Sequence, residues 1–400
     1  MILSEILAWS SLLMKSTALY FAYIALRWGV AKRKKWPETA PKMRFAVVVA
    51  ARNEEAVIPR LVESLLVQEY PRELFDVYIV LNNCTDDTSG AALRAGANIL
   101  SCQQPVHQKG DALRQAFEQL DCCGYDGYVV FDADNVVDRY YLKQTNDAFC
   151  AGAQVVKGRQ VALNPKQSWV AGCYDMYFAG FDLLFNLPRA NSMRSAKLVG
   201  TGFAVHRSVL KQLGGWNTQT IAEDAEFSAQ CALAGVRVCW APEAITYDEE
   251  PCSFWVSLRQ RKRWCSGVLQ VGRKMLPELA VSHRSTLCLD MLFFLLTAQL
   301  QPVSALLMIT SQTVNLFSGN LSIQALVISV SLYWLICSML AAVLQRISRG
   351  KESRNFRSVL LFPLFMLSWM PLQILALFHK TTNWQQIRHG MQEPKITCFR

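Results

Sequence analysis

The chain has 400 residues, of which 52% are hydrophobic and 18% are charged. This composition excludes a disordered or fibrous chain and places the apolar excess either in large cores or in membrane spans. The formal net charge is +10, from 41 Lys and Arg against 31 Asp and Glu. Because no basic stripe interleaved with aromatic residues and no nucleic-acid motif is present, we expect no nucleic-acid partner.

The 13 cysteines are scattered along the chain without a CxxC pair, and there are only 5 histidines. Disulfide scaffolds are typical of short secreted chains, and a zinc site needs closely spaced ligand pairs. Reduced thiols that pack as small hydrophobic side chains therefore explain this pattern better.

Residues 1–31 contain an apolar stretch, 6–28, of the length that a membrane-spanning helix requires. Four basic residues follow it at 32–35. The stretch predicts an N-terminal transmembrane anchor. A cleaved signal peptide is the competing interpretation, but no positive charge precedes the stretch and no small-residue cleavage site follows it.

Residues 42–281 have a different pattern, in which short β-branched runs alternate with amphipathic segments. This alternation predicts a soluble α/β domain with a mostly parallel sheet. The predicted strands are 45–50, 77–82, 97–101, 128–132 and 154–158, and the predicted helices are 55–68, 110–120 and 223–234.

Residues 287–378 are apolar again and predict about three membrane segments, at 287–317, 321–343 and 359–378. Pro302 interrupts the first of these, and Pro363 and Pro371 interrupt the last, so either can be broken or re-entrant. Basic residues after the first apolar stretch and between the last two place the soluble domain on the cytoplasmic side. The basic tail, 379–400, favours the cytoplasm as well, although a count of four spans would place it outside.

Polar residues occur at the ends of the first two predicted strands: Asn53 and Glu54 follow the first, and Asn82 is the last residue of the second. Ligands bind in open parallel sheets at the carboxyl ends of strands, so these residues are candidates for a binding site. Helix capping at Asn53 and a capping turn after Asn82 explain the same residues without a ligand.

Asp132 and Asp134 are separated by one residue at the end of an apolar strand. Carboxylate oxygens in this position suit Mg²⁺ or Mn²⁺ bridged to a diphosphate, because such ions share their remaining positions with phosphate and water. Lys109, which a glycine follows, adds a cation upstream. A surface loop is the alternative interpretation of the two aspartates.

Glu223 and Asp224 begin a predicted helix and offer an acid where a general base is needed, although acidic residues also stabilise helix starts. Downstream, helical spacing places Gln260, Arg263 and Trp264 on one face of an amphipathic stretch. Such a face suits a pyrophosphate and a sugar ring, and a membrane-surface helix is the alternative.

These motifs occur in a fixed order across residues 44–270: Ala51-Arg52-Asn53-Glu54, Asn82 to Asp87, Lys109-Gly110, Asp132-Ala133-Asp134, Gly200-Thr201-Gly202, Glu223-Asp224 and Gln260-x-x-Arg263-Trp264. Together they resemble the membrane-embedded family 2 glycosyltransferases, which include cellulose, chitin and hyaluronan synthases and glucosylceramide synthase. The resemblance implies a GT-A fold, with a Rossmann-like mixed sheet and helices on both faces, plus transmembrane α-helices. It also implies a nucleotide-sugar donor, a divalent metal and inversion at the anomeric carbon.

The resemblance implies that Asp224 is the catalytic base and that Asp132 and Asp134 hold the metal and diphosphate. It further implies a donor and acceptor site formed by Ala51, Asn53, Glu54, Asn82, Lys109, Asp132, Gly202, Glu223, Gln260, Arg263 and Trp264. One departure is Asn82-Asn83, where the family places an aspartate for the base and ribose. An asparagine carbonyl can still accept a hydrogen bond from uracil N3–H, so a UDP-sugar remains the expected donor.

Two segments, 168–187 and 254–271, are apolar or amphipathic and predict helices that lie at the membrane interface; a core helix also explains the first. We therefore expect a multi-pass cell-membrane enzyme with a cytoplasmic catalytic domain. The expected activity is synthesis of a β-linked glycan, with translocation that needs a homodimer or accessory subunit. Single-sugar transfer to a membrane lipid is the close alternative, and an inactive sugar-nucleotide-binding scaffold is a third.

Overall fold

The computed structural model describes residues 2–29, 31, 35–282, 285–319, 322–349, 355–379 and 381. Residues 32–34 of the predicted basic cluster, and almost all of the predicted tail, lie outside this range. Eight strands form one sheet: β1 (Phe45–Ala51), β2 (Phe75–Leu81), β3 (Asn98–Ser101), β4 (Gly127–Asp132), β5 (Val136–Val137), β6 (Val155–Ala162), β7 (Phe203–His206) and β8 (Val238–Asp248).

The strand order is β3-β2-β1-β4-β7-β6-β8-β5. The first four strands in this order are parallel, β7 is antiparallel to both of its neighbours, and β6 is parallel to β8. The register aligns Ala51 of β1 with Leu81 of β2, and Ala50 with Asp132 of β4. The carboxyl ends of three neighbouring strands therefore meet at one edge, where the loops that follow them come together.

The helices of the soluble part and of the membrane part follow one another in chain order: α1 (Ile2–Trp28), α2 (Ile58–Leu66), α3 (Thr88–Arg94), α4 (Lys109–Leu120), α5 (Tyr141–Cys150), α6 (Trp169–Phe181), α7 (Leu187–Asn191), α8 (Arg207–Leu213), α9 (Glu223–Leu233), α10 (Phe254–Val281), α11 (Thr286–Phe317), α12 (Ile323–Arg349), α13 (Phe356–Leu367) and α14 (Trp369–Phe378). A π-helical turn, Asp182–Asn186, joins α6 to α7.

Alternate residues of β1 enter two different cores. Phe45, Val47 and Val49 pack in the cluster on one side of the sheet, and Ala46 and Val48 pack in the cluster on the other. Both faces are thus covered, which explains why the central strands are continuously apolar instead of alternating with polar residues.

Three helical segments are long and apolar enough to cross a membrane: Thr286–Phe317, Ile323–Ile347 and Phe356–Phe378. These three candidates among the described residues overlap the three predicted segments and indicate membrane association. The number of segments that cross a membrane, and their bounds, stay predictions. The N-terminal helix, α1, is not among these candidates, so its role as a membrane anchor stays a prediction.

The prolines of these segments have different effects. The first segment continues through Pro302 as one helix, whereas the third is divided at Ser368, between α13 and α14. The interruption predicted for the first segment is therefore wrong. A proline inside a helix is tolerated where neighbouring helices pack around it, and Pro302 is buried.

The predicted soluble elements differ from the structure mainly at their ends and in number. The helix predicted at 55–68 is Ile58–Leu66, the strand predicted at 154–158 extends to Ala162, and the interfacial helix predicted at 254–271 continues to Val281. Three strands, β5, β7 and β8, were not predicted. β5 has two residues and β7 has four, which are too few to show a pattern.

Candidate functional site

A cavity of about 890 Å³ runs from the carboxyl ends of β1, β2 and β4 to the membrane helices. Its end at the strands, called the donor end because the predicted donor-site residues lie there, is lined by polar and charged side chains. Its end at the helices, the membrane end, is lined mainly by aromatic and aliphatic side chains. The sequence-predicted site residues that line it are Ala51, Glu54, Asn82, Lys109, Asp132, Asp134, Glu223, Asp224, Gln260, Arg263 and Trp264.

Two other predicted site residues, Asn53 and Gly202, do not line this cavity. The Asn53 side-chain oxygen accepts a hydrogen bond from the backbone N–H of Thr85 at 2.7 Å, and this bond ties the two loops at the strand ends together. Asn53 also has a φ of 57°, which asparagine tolerates better than most residues. Asn53 therefore supports the cavity wall without facing the cavity. The roles of Asn53 and Gly202 in binding stay predictions.

Lys109 starts α4, which a capping box between Gln108 and Asp111 opens. Its ammonium group lies 2.5 Å from a carboxylate oxygen of Asp132, 2.6 Å from the carbonyl oxygen of Gly200 and 3.9 Å from Glu223. Burial alone would lower the pKa of Lys109, but the two carboxylates raise it above its ordinary value. Lys109 is therefore a fixed positive charge at the donor end.

The loop Gly200–Gly202 makes hydrogen bonds to several charged residues at the donor end. The Gly200 N–H donates to Asp224 at 2.7 Å, and the Thr201 hydroxyl accepts from the Asp132 N–H at 3.0 Å. Beneath the loop, the buried Lys157 donates to the carbonyl oxygen of Thr201 at 2.8 Å. Gly202 has a φ of +60°, and an added Cβ would lie 2.6 Å from the hydroxyl of Thr246. Glycine is thus required where this loop passes close to β8.

Asp134 lies beside Asn135, whose side-chain N–H donates to Asp134 at 3.3 Å and to Asp248 at 3.1 Å. Within the described ranges, no group of three or more His, Cys, Asp and Glu side chains converges as a complete metal-ligand set. Asp132 and Asp134 nevertheless both face the cavity with hard carboxylate oxygens. These two carboxylates fit a metal ion that takes few protein ligands and fills its remaining coordination positions with diphosphate oxygens.

Glu223 and Asp224 occupy the first turn of α9, and both face the cavity. Asp224 accepts hydrogen bonds from the N–H groups of Gly200 and Ala225, each at 2.7 Å, which hold its carboxylate in one orientation. Burial raises the pKa of Glu223 to about 7, although the positive charge of Lys109 opposes this shift. The two adjacent acids therefore have different environments, as pairs of catalytic carboxyl groups often do.

Gln260, Arg263 and Trp264 project from α10 into the cavity. The Tyr174 hydroxyl donates to the side-chain oxygen of Gln260 at 2.8 Å, and the Trp264 ring stacks against Trp369 with 6.2 Å between centroids. Within the described part of the chain, no hydrogen bond or ion pair engages the Arg263 side chain. A guanidinium in this state is available to a diphosphate or carboxylate ligand.

Arg261 faces away from the cavity and fixes α10 to the membrane helices. It is fully buried, and it donates to the Phe365 carbonyl at 3.0 Å and to the Ser368 hydroxyl at 2.8 Å. Its guanidinium also lies 4.1 Å from the Phe365 ring centroid. Arg261 thus connects the break between α13 and α14 to α10, the helix that carries Gln260, Arg263 and Trp264.

Sequence reasoning missed several side chains that face the cavity: Arg52, Lys197, Asp248, Glu249 and Glu250. Arg52 lies inside a motif that was identified, and Lys197 precedes the Gly200–Gly202 motif by three residues. The three acidic residues lie at the end of β8, where Asp248 is the last residue of the strand and Glu249 and Glu250 follow it. This strand was not predicted, so no strand-end argument pointed to them. Burial raises the pKa of Asp248 and of Glu250 well above the usual range of carboxyl groups.

The chain is similar in sequence to known glycosyltransferases. The sequence profile of "Glycosyltransferase like family 2" matches residues 41–267. A probable glycosyltransferase of Bacillus subtilis, YdaM, is 26% identical over 92% of this chain and 88% of its own length. The β-monoglucosyldiacylglycerol synthase of Nostoc is 29% identical over 65% of this chain, which matches 57% of that protein.

Among solved structures, the mannosyltransferase PcManGT of Pyrobaculum calidifontis, in complex with GDP-mannose and Mn²⁺, is similar in fold with a TM-score of 0.63. The alignment covers 93% of this chain and 99% of that protein, at 17% identity. The similarity shows that the mixed sheet and its helices have the GT-A type of fold.

Proposed function

Because the chain belongs to glycosyltransferase family 2, it transfers a sugar from a nucleotide-sugar, and we propose that it transfers a single sugar to a membrane lipid. One observation carries this proposal: the cavity that contains the predicted donor residues continues among apolar side chains of the membrane helices. A lipid acceptor needs such a surface for its chains, whereas a glycan needs hydroxyl and amide partners along its path.

The aromatic lining of the membrane end supports this acceptor. Phe181 and Phe185, one turn apart across the start of the π-helical turn, stack with 4.7 Å between ring centroids. Phe294 of α11 packs against Phe185 at 5.8 Å. These rings form an apolar wall in the same cavity that Asp224 lines, so a lipid on this wall would present its polar head to the charged end of the cavity.

Synthesis of a growing glycan is the second candidate, and one contact favours it. Trp264 and Trp369 stack on each other and both line the cavity, and sugar rings bind readily on such aromatic surfaces. Gln301 and Gln373, joined by a hydrogen bond of 3.0 Å, add amide groups on the same path. We favour the lipid because the apolar residues outnumber these polar ones at the membrane end.

The donor is proposed to be a UDP-sugar. The side-chain oxygen of Asn82 is buried in the cavity wall and has no hydrogen-bond partner within the described residues. A buried acceptor of this kind is costly to leave unpaired, and the uracil N3–H is a donor that can satisfy it. Glu54, at the end of the neighbouring strand, completes this proposed nucleoside site.

In the proposed reaction, Asp224 removes the proton from the acceptor hydroxyl as that oxygen attacks the anomeric carbon and the nucleoside diphosphate leaves on the opposite face. Asp132 and Asp134 would hold Mg²⁺ or Mn²⁺, which neutralises charge on the leaving diphosphate when it is bound. Lys109 and Arg263 contribute positive charge to the same group. The backbone N–H groups of Gly200 and Ala225, which donate to the two carboxylate oxygens of Asp224, hold this group in one orientation.

The test is to incubate the purified full-length protein in detergent with Mg²⁺ or Mn²⁺, extracted membrane lipids and radiolabelled UDP- and GDP-sugars. The products are separated by solvent extraction and by size. One discrete organic-soluble product from a UDP-sugar supports the proposal. A ladder or a high-mass polymer contradicts the lipid acceptor, and turnover of GDP-sugars alone contradicts the donor.

A further inference from the structure

Lys197 lies where the donor end of the cavity meets the membrane end. Its ammonium nitrogen is 5.1 Å from the ring centroid of Phe181 and 5.1 Å from that of Phe294, which belong to the apolar wall. Three residues further along the chain begins the Gly200–Gly202 loop, whose Gly200 N–H donates to Asp224. Lys197 and Asp224 both line the cavity. The side chain therefore presents a cation to the boundary between the reacting groups and the lipid surface.

Among the residues that the structure describes, this cation has no counter-ion in contact. Throughout the described residues, the Lys197 ammonium group makes no hydrogen bond and no ion pair. Burial lowers the pKa of Lys197, and the negative charge of Asp224 only opposes that shift from nearby. The Asp224 carboxylate is itself engaged by two backbone N–H groups. Lys109, by contrast, is fully paired with Asp132 and Gly200.

We propose that Lys197 binds a phosphate group of the lipid acceptor, so that the acceptor is an anionic lipid with a free hydroxyl a few bonds from its phosphate. The inference rests on the lipid acceptor proposed above and specifies its class. A phosphate at this point supplies the missing counter-charge in a space of low polarity, where an ion pair is stronger than in water. The neighbouring Asp224 is then placed to accept the proton of the hydroxyl.

A phosphate of the donor is the competing ligand for Lys197. The residues that suit the donor diphosphate are Asp132 and Asp134, at and just after the end of β4, and Lys109, which is paired with Asp132. Lys197 instead contacts the rings of Phe181, the last residue of α6, and of Phe294 in α11. The two possibilities differ in which Michaelis constant depends on Lys197. The test therefore measures both constants.

Dioleoylphosphatidylglycerol and dioleoylglycerol have the same chains and differ in the phosphate. We expect the full-length enzyme in detergent to have a kcat/KM at least about tenfold higher for the phosphatidylglycerol. Lys197→Gln should reduce this ratio to about one by raising the KM for the anionic lipid, with the KM for the nucleotide-sugar unchanged. Lys211→Gln, an exposed lysine on α8, removes the same charge and should retain the ratio. An equal loss for both lipids, or a raised KM for the donor, overturns the inference.

Binding of dioleoyl phosphatidic acid provides a measurement that does not depend on turnover, because this lipid has the phosphate but no hydroxyl to accept a sugar. In native mass spectrometry of the full-length protein, we expect phosphatidic acid to bind at least about tenfold more tightly than dioleoylglycerol, and Lys197→Gln to remove the difference. Equal binding of the two lipids to the unaltered protein contradicts the inference. A polymeric product in the activity assay contradicts only the proposed lipid transfer, so the two failures are distinguishable.

Discussion

The two ends of the cavity are built by different interactions. At the donor end, Lys109, Asp132 and Asp224 are held by hydrogen bonds of 2.5–3.0 Å to one another or to the Gly200–Gly202 loop. At the membrane end, Phe181, Phe185 and Phe294 make ring contacts that have no fixed partner atoms. Hydrogen bonds are directional and packing is not, so we expect the donor end to be intolerant of small changes and the membrane end to be tolerant.

The largest effect is expected for Asp224→Asn. The substitution preserves the shape of the side chain but removes the proton acceptor, so the rate of sugar transfer should fall about 10²- to 10⁴-fold. The measurement is the initial rate of nucleoside diphosphate release with acceptor present. Glu223→Gln is the matched control at the adjacent position and should retain more activity. Turnover that survives in Asp224→Asn would remove Asp224 from the role of base.

The next effect is expected for Asp134→Ala, which removes one of the two carboxylates that face the proposed diphosphate site. We expect activity to fall about a hundredfold and the concentration of Mn²⁺ needed for half-maximal rate to rise, because the ion loses a ligand. Titration of Mn²⁺ into chelator-treated enzyme measures both quantities. Full activity of the unaltered enzyme without a divalent ion contradicts the role of Asp134.

A smaller effect is expected for Lys157→Met, because Lys157 does not line the cavity but supports the Gly200–Gly202 loop through a hydrogen bond. Lys157 is 2% exposed and satisfies the carbonyl oxygen of Thr201, so its loss leaves a buried acceptor unpaired, at a cost of about 1–3 kcal/mol. We expect kcat to fall about tenfold as the Gly200–Gly202 loop loses its support, together with a lower Tm. The exposed Lys211→Met serves as the control. An unchanged kcat with a lowered Tm would limit Lys157 to a role in stability.

The sequence could predict several residues of the donor end because they lie in motifs at strand ends. Asp132 ends β4, Asn82 follows β2, and parallel strands bring such positions to one edge whatever the loops do. The membrane end could not be predicted in the same way. Lys197 contacts the ring of Phe294, a residue of α11 that also packs against Phe185 in the π-helical turn. Lys197 and Phe294 are 97 positions apart, so no spacing in the sequence predicts their contact. The four residues of β7 were missed for a related reason, since its place between β4 and β6 is set by the sheet.

Stability should depend on pH through Glu223. Its pKa is raised in the folded protein from 4.5 to about 7, so the folded state holds this proton more tightly than the unfolded chain. The stabilisation is complete below pH 4.5 and is lost as the pH rises toward 7. We expect the Tm of the unaltered protein to fall by a few degrees relative to Glu223→Gln over this range. Parallel curves of Tm against pH for the two proteins would mean that the folded state does not bind the Glu223 proton more tightly than the unfolded chain does.

The smallest effect is expected for Met366→Leu at the membrane end. Met366 of α13 lines the cavity and packs on the cluster of α6, and the substitution conserves its volume and apolar character. The kcat/KM for a lipid acceptor should change less than about threefold, because an acyl chain has many equivalent contacts and needs no single one. Set against Asp224→Asn, which also changes few atoms, this result measures the difference between the two ends directly. A loss at Met366→Leu as large as that at Asp224→Asn would mean that the membrane end also positions the acceptor through specific contacts, as a glycan path does.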